Sequence, residues 1–204
     1  MSAVTSSRLG VVRRPLLPAA LLLLALLAGC ASGQAGNTSS GSSSGAAPHP
    51  AFQACPSPGA TVASGGRTLP SLSFGCLGGG TLDLGKAPGV PTVVSLWASW
   101  CAPCREELPL VQQLADTAGD RLRVVGVVSR DGRPQATSFA TDAGARFPSA
   151  FDSQGDLMTQ LGLNALPYTY LLGADGSIAY VQVGPVASFD DLKALVAEKL
   201  GVQL

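Results

Sequence analysis

Histidine is nearly absent: His49 is the only one in 204 residues, and it stands in a run of small polar residues. The folded part of the chain therefore offers no imidazole as metal ligand or catalytic base, and only thiols remain as soft ligands. Charge is scarce and balanced, with 13 basic and 13 acidic residues. No basic stripe appears, which argues against a nucleic-acid partner. The one long apolar run, Leu16 to Ala28, falls short of the ~20 residues that span a bilayer. Cysteine is sparse too, but the five present are placed informatively.

Arg8, Arg13 and Arg14 precede that apolar run, and no acidic residue occurs before Cys30. A basic start, a short apolar centre and a small-residue end form a secretory signal. Its end, Leu27-Ala28-Gly29-Cys30, resembles the lipobox of bacterial lipoproteins. The resemblance implies cleavage before Cys30, lipid on Cys30, and anchoring at the extracytoplasmic face of the cell membrane. Pro15 and the missing flanking residues speak against twin-arginine export. Removing residues 1–29 leaves ten basic against thirteen acidic residues, a net charge of −3.

Residues 30–50 continue as a Ser/Gly/Ala tether with too little apolar surface to fold. It spans roughly 25 Å on average. Residues 51–204 form one domain by length.

With Cys30 set aside, Cys55, Cys76, Cys101 and Cys104 remain, and an exported chain can pair them in three ways. Cys55 and Cys76 are the natural structural pair; the alternative is two buried free thiols. A bond between Cys101 and Cys104 closes too small a loop to stabilise much, so it is a working bond.

Hydrophobic patterning places Cys101 and Cys104 at a junction. Pro91 to Trp97 reads as a buried strand, and helical spacing then begins, with Leu108, Val111, Leu114 and Ala115 on one face. Pro109 falls inside that helix and Gly119 at its end. A second buried strand runs over Leu122–Val128. Helices follow at "RPQATSFATDAG" and "DLMTQLG". Tyr168–Leu172 and Ile178–Val183 flank the turn residues "GADGS" as a hairpin. Ser188 with Asp191 resembles a capping box ahead of a last helix with Leu192, Leu195 and Val196 inward. This order predicts an α/β fold: a mixed sheet, parallel strands with an antiparallel edge, and helices on both faces.

A Cys-x-x-Cys at a helix start has a chemical consequence. Unpaired N–H groups and the positive helix end favour an anion there, which depresses the pKa of Cys101 and makes it the nucleophile. Cys104, one turn further in, resolves the mixed disulfide. Pro103 suits the first turn. No metal or organic cofactor is required. Haem attachment needs a histidine after the second cysteine, and Arg105 stands there. Zinc needs two more soft ligands; Cys55 and Cys76 could supply them, but not with two-knuckle spacing.

"WASWCAPCREELP" resembles the active-site segment of thioredoxin-fold proteins, and more narrowly of the membrane-tethered TlpA/ResA type. "NALPYTYLL" resembles the cis-proline loop of that fold. The likeness runs from about Cys55 to Leu204, and implies a thioredoxin-like domain with an N-terminal extension and a helix-and-strand insert over Arg130–Asp152. It implies that Pro167 is cis and faces the disulfide, that the Leu166 backbone pairs with an incoming chain, and that Tyr168 lines the groove. It also implies exchange with partner proteins as a reductant, for example of apocytochrome thiols, fed by a membrane electron donor.

Ser95 stands where cytosolic thioredoxins hold a buried Asp, so proton handling must differ. Glu107 matches an acidic position of the tethered family, as a proton carrier or as a solvated surface charge. Trp100 is expected to shield the disulfide and Trp97 to lie in the core. The rivals are a disulfide-introducing oxidase, a peroxide-reducing enzyme (whose required threonine is replaced by Ala98) and a metal-carrying binding lipoprotein.

Overall fold

The computed structural model describes residues 52–204. The signal segment, Cys30, His49 and the tether lie outside the described residues. Among the described residues, no helix is long and apolar enough to cross a membrane.

Two short strands open the fold, β1 (Ser73–Gly75) and β2 (Thr81–Asp83), paired antiparallel. The central sheet follows: β3 (Thr92–Trp97), β4 (Arg123–Ser129), β5 (Ser149–Asp152), β6 (Tyr168–Leu172) and β7 (Ile178–Val183). Their order is β5-β4-β3-β6-β7. β3 pairs parallel with β4, and β4 with β5; β6 is antiparallel to both β3 and β7. The helices are α1 (Ala102–Ala118), α2 (Arg133–Asp142), α3 (Asp156–Gln160) and α4 (Phe189–Leu200). The expected thioredoxin-like α/β arrangement is present. The antiparallel strand β6 sits inside the sheet beside β3, with β7 at the edge.

β3 is buried at all six positions because it is flanked on both sides and covered on both faces. Side chains alternate across it. Val93, Ser95 and Trp97 share a face with Thr169, under α1 and α4. Val94 faces the N-terminal segment that carries Leu82 and Leu84. Trp97 is fully buried, stacked on Phe52 at 6.2 Å and tilted against Phe139 of α2 at 5.8 Å. This packing dictates a glycine next door: a Cβ on Gly126 would lie 2.7 Å from the Trp97 indole nitrogen and 2.6 Å from Ser149 Oγ.

Helix ends follow local chemistry. The Ser188 hydroxyl accepts from the Asp191 N–H at 3.1 Å and caps α4, and Gly201 ends that helix with φ 68°. Pro109 sits within α1, where it removes the hydrogen bond to the Arg105 carbonyl.

Cys55 and Cys76 are disulfide-bonded, 21 residues apart, and both are buried. The bond closes the N-terminal segment on itself, and the backbone at Cys76 and Leu77 ties it to β5. The Leu77 N–H donates to the Ser149 carbonyl at 2.9 Å, and the Cys55 N–H to the Gly79 carbonyl at 2.9 Å. Loop-closure entropy for this separation is worth about 3 kcal/mol. A Cys55→Ala/Cys76→Ala variant is expected to lose about that much stability in urea denaturation, with the exchange chemistry at Cys101 retained.

Candidate active site

The Cys101–Cys104 disulfide lies where β3 gives way to α1. Cys101 is the N-cap, with extended backbone (φ −83°, ψ 105°), and its Sγ accepts from the Cys104 N–H at 3.2 Å. A sulfur at a helix N-cap meets both an unpaired donor and the positive helix end, and each favours thiolate over thiol. The first turn contains no acidic residue to oppose this. Cys101 is 4% exposed and Cys104 1%, so the first cysteine is the less covered of the two.

The approach to Cys101 is held by the loop after β4. Both Asp131 carboxylate oxygens accept from Ser99, from its N–H at 2.6 Å and its hydroxyl at 3.0 Å. The Trp100 indole N–H donates to the Arg130 carbonyl at 2.8 Å, and the Arg105 guanidinium to the Ser99 carbonyl at 2.9 Å. Arg130 itself has φ 52°, a left-handed conformation rare for a residue with a side chain. Trp100 is 54% exposed: its edge is tethered and its ring presented outward beside the site. Sequence reasoning missed Asp131 and Arg130, because a short loop 30 residues away carries no periodicity to mark it.

The Leu166–Pro167 peptide is cis, and both residues are buried. Leu96 pairs with Tyr168, so Pro167 comes in beside Trp97, at the sheet end from which the chain leaves for Cys101. The Gly184 N–H donates to the Pro167 carbonyl at 3.1 Å and ties this loop to the end of β7.

Glu107 is not a solvated charge. It is 2% exposed, one turn beyond Cys104 on the buried face of α1. Its carboxylate accepts from the Val186 N–H at 3.2 Å. Burial pushes its pKa from 4.5 to about 7, against smaller lowering effects from the Val186 N–H and the Thr169 hydroxyl. The Thr169 hydroxyl sits beside the carboxyl without reaching full hydrogen-bond geometry, and it is otherwise unpartnered. Ser95, directly opposite Thr169 in the strand register, also buries a hydroxyl without a partner. Glu107 thus brings a carboxyl from α1 into the layer that holds Ser95 and Thr169. Among the described residues, no group of three or more His, Cys, Asp or Glu could hold a metal ion.

A redox disulfide opening a helix on this sheet, with a cis-proline loop at the same sheet end, defines a thioredoxin-fold thiol–disulfide oxidoreductase. Comparison with known proteins places it further. The chain belongs to the Redoxin family, whose model matches residues 64–196. It is similar to the thiol:disulfide interchange protein CycY of Rhizobium leguminosarum bv. viciae, 35% identical over 109 residues, which are 53% of this chain and 58% of that protein. The chain thus matches just over half the length of that relative. It is also similar to the thiol:disulfide interchange protein DsbE homolog of Paracoccus denitrificans, 34% identical over 61% of this chain and 69% of that protein. Among solved structures, a DsbF homologue from Corynebacterium diphtheriae superposes with a TM-score of 0.56 at 27% identity, covering 72% of this chain and 99% of that one. A secreted Mycobacterium tuberculosis disulfide oxidoreductase homologous to E. coli DsbE gives 0.56 at 25% identity, covering 63% and 96%.

Proposed function

We propose that this oxidoreductase works outside the cytoplasm, anchored by lipid on Cys30, and reduces disulfides in partner proteins. The single observation that carries the exchange reading is the Cys101 sulfur at the N-cap of α1, holding the Cys104 N–H. In the reduced enzyme the Cys101 thiolate attacks one sulfur of a partner disulfide. A mixed disulfide forms and the partner's other sulfur leaves as a thiolate. Cys104 loses its proton and attacks the Cys101 Sγ, which closes the intramolecular disulfide and releases the second partner sulfur reduced. Two electrons pass to the partner, and a membrane dithiol donor returns them.

Glu107, about half ionised at neutral pH, is the buried acceptor for the Cys104 proton. Its position one turn away on the same helix face supports this role. The Leu166 backbone, beside the cis-proline, pairs with the incoming chain. Apocytochrome thiols awaiting haem attachment are the partner class that the TlpA/ResA resemblance favours.

The reaction is tested with Cys104→Ser. Under exchange conditions this variant is expected to accumulate mixed disulfides that Cys101→Ser abolishes, and an absence of adducts would remove the reading. The potential of the Cys101–Cys104 pair decides direction: near −270 mV is expected for a reductant, whereas about −120 mV would make the protein an oxidant. Anchoring predicts that labelled fatty acid enters the chain and that Cys30→Ala loses both label and membrane association.

A further inference from the structure

A groove of about 400 Å³ opens beside the cis-proline loop, on the sheet face opposite Glu107. Its floor is Tyr168 and Tyr170, whose rings stack at 6.5 Å with an interplanar angle of 24°. Val181 and Leu163 extend this apolar surface, and Arg67 stands on the rim. Tyr168 adjoins Pro167, so one end of the groove lies next to the cis-proline loop, while Arg67, hydrogen-bonded to Ile178 opposite Leu172, marks the other end of β6.

Arg67 gives the groove a sign. It is exposed, and among the described residues its guanidinium joins no ion pair and no hydrogen bond. Burial and the neighbouring Tyr168 hold the Tyr170 phenol above its ordinary pKa, and Arg67 lies near enough to act against them. No carboxylate lines the groove. Arg67 is also well placed for a purpose. It belongs to the segment closed by the Cys55–Cys76 disulfide, and that segment is fastened to the start of β7. The Ile178 N–H donates to the Arg67 carbonyl at 2.7 Å, and Thr68 bridges to Ser177. A fixed backbone leaves only the Arg67 side chain to be ordered when it meets a carboxylate, and a pair of stacked rings favours an apolar or aromatic side chain.

We propose that this groove selects the partner: it takes an extended segment of the substrate protein that carries an apolar side chain and, several residues along from the reacting cysteine, an acidic residue. The proposal rests on the exchange reading above. The apolar side chain lies on Tyr168 and Tyr170, and the carboxylate meets Arg67. The N-terminal extension is then a specificity wall as well as a cover for the sheet.

The test uses the full-length reduced protein, disulfide-containing peptides and neutral hydroxyethyl disulfide. One peptide set places Leu beside its cysteines and Asp about four to six residues further along, on either side, and a second replaces Asp by Lys. The wild type is expected to favour the acidic set by about tenfold or more in kcat/KM. Arg67→Glu should lower the acidic-set rate relative to that variant's own hydroxyethyl disulfide rate, and should raise the lysine set. If the wild type reduces hydroxyethyl disulfide and treats both peptide sets alike, the groove proposal fails while exchange stands. If neither peptides nor hydroxyethyl disulfide are reduced, exchange fails and the groove with it. Concentration-dependent dimers lost in Arg67→Glu, with equal peptide rates, would give the groove to a second copy and overturn the proposal.

Discussion

Cys101→Ser is expected to reduce exchange by roughly 10⁴-fold or more, the scale on which loss of a catalytic nucleophile is felt. The reason is local. Only Cys101 combines the helix N-cap, the Cys104 N–H and the greater exposure of the two cysteines. A serine hydroxyl keeps the hydrogen bond but cannot supply an anion near neutral pH. Cys104→Ser leaves the first attack intact and blocks only the release. The two variants should therefore separate when free thiol release from a protein disulfide is followed over time: no first turnover in Cys101→Ser, a single arrested one in Cys104→Ser. In the reduced wild type, iodoacetamide should alkylate Cys101 well below pH 8.5, where an ordinary thiol is mostly protonated. If the two sulfurs react alike and at the rate of a free thiol, the N-cap argument is wrong.

Glu107→Gln should stabilise the protein and slow it. The native carboxyl titrates near 7 and the unfolded one near 4.5, so between these values the native state holds the extra proton. Stability that depends on this group is complete below about pH 4.5 and is lost as pH rises through 7. At pH 8 the buried charge costs up to about 3 kcal/mol, taking 1.36 kcal/mol per pKa unit. Glutamine keeps an acceptor for the Val186 N–H and carries no charge. The variant should match the wild type near pH 4 and exceed it by roughly 5–10 °C in Tm at pH 8. Its turnover should fall by about 10²-fold at neutral pH and lose its inflection near 7. Equal pH dependence of Tm in the two proteins would show that the carboxyl is not buried as described. An unchanged pH–rate profile would remove Glu107 from proton transfer.

The sequence carries much of this on its face. Local signals are strong where chemistry and periodicity coincide: the Cys-x-x-Cys after an apolar strand, the "GADGS" hairpin, the Ser188 cap. Glu107 was ambiguous because its residue type argues for the surface while its position, between Cys104 and Val111 at helical spacing, argues for the core. The partners that settle it, Thr169 and Val186, lie more than sixty residues away. Gln112 repeats the lesson, a buried amide whose oxygen accepts the N–H groups of Arg146 and Phe147. The β1–β2 hairpin escaped notice because its strands have three residues each, too few for alternation to show. The Asp131 clamp escaped because it exists only once β3 and β4 lie side by side.

Two sulfur–sulfur bonds in one small molecule pose a problem of fidelity. One must open on every cycle, while the Cys55–Cys76 bond, no better covered than the working pair, has to stay closed. Whenever the helix pair is reduced, the molecule carries a divided oxidation state, paired at its N-terminal segment and unpaired at its helix. The Cys55–Cys76 bond has to form under oxidising conditions and then persist while the helix pair cycles, since it closes the segment that carries Arg67.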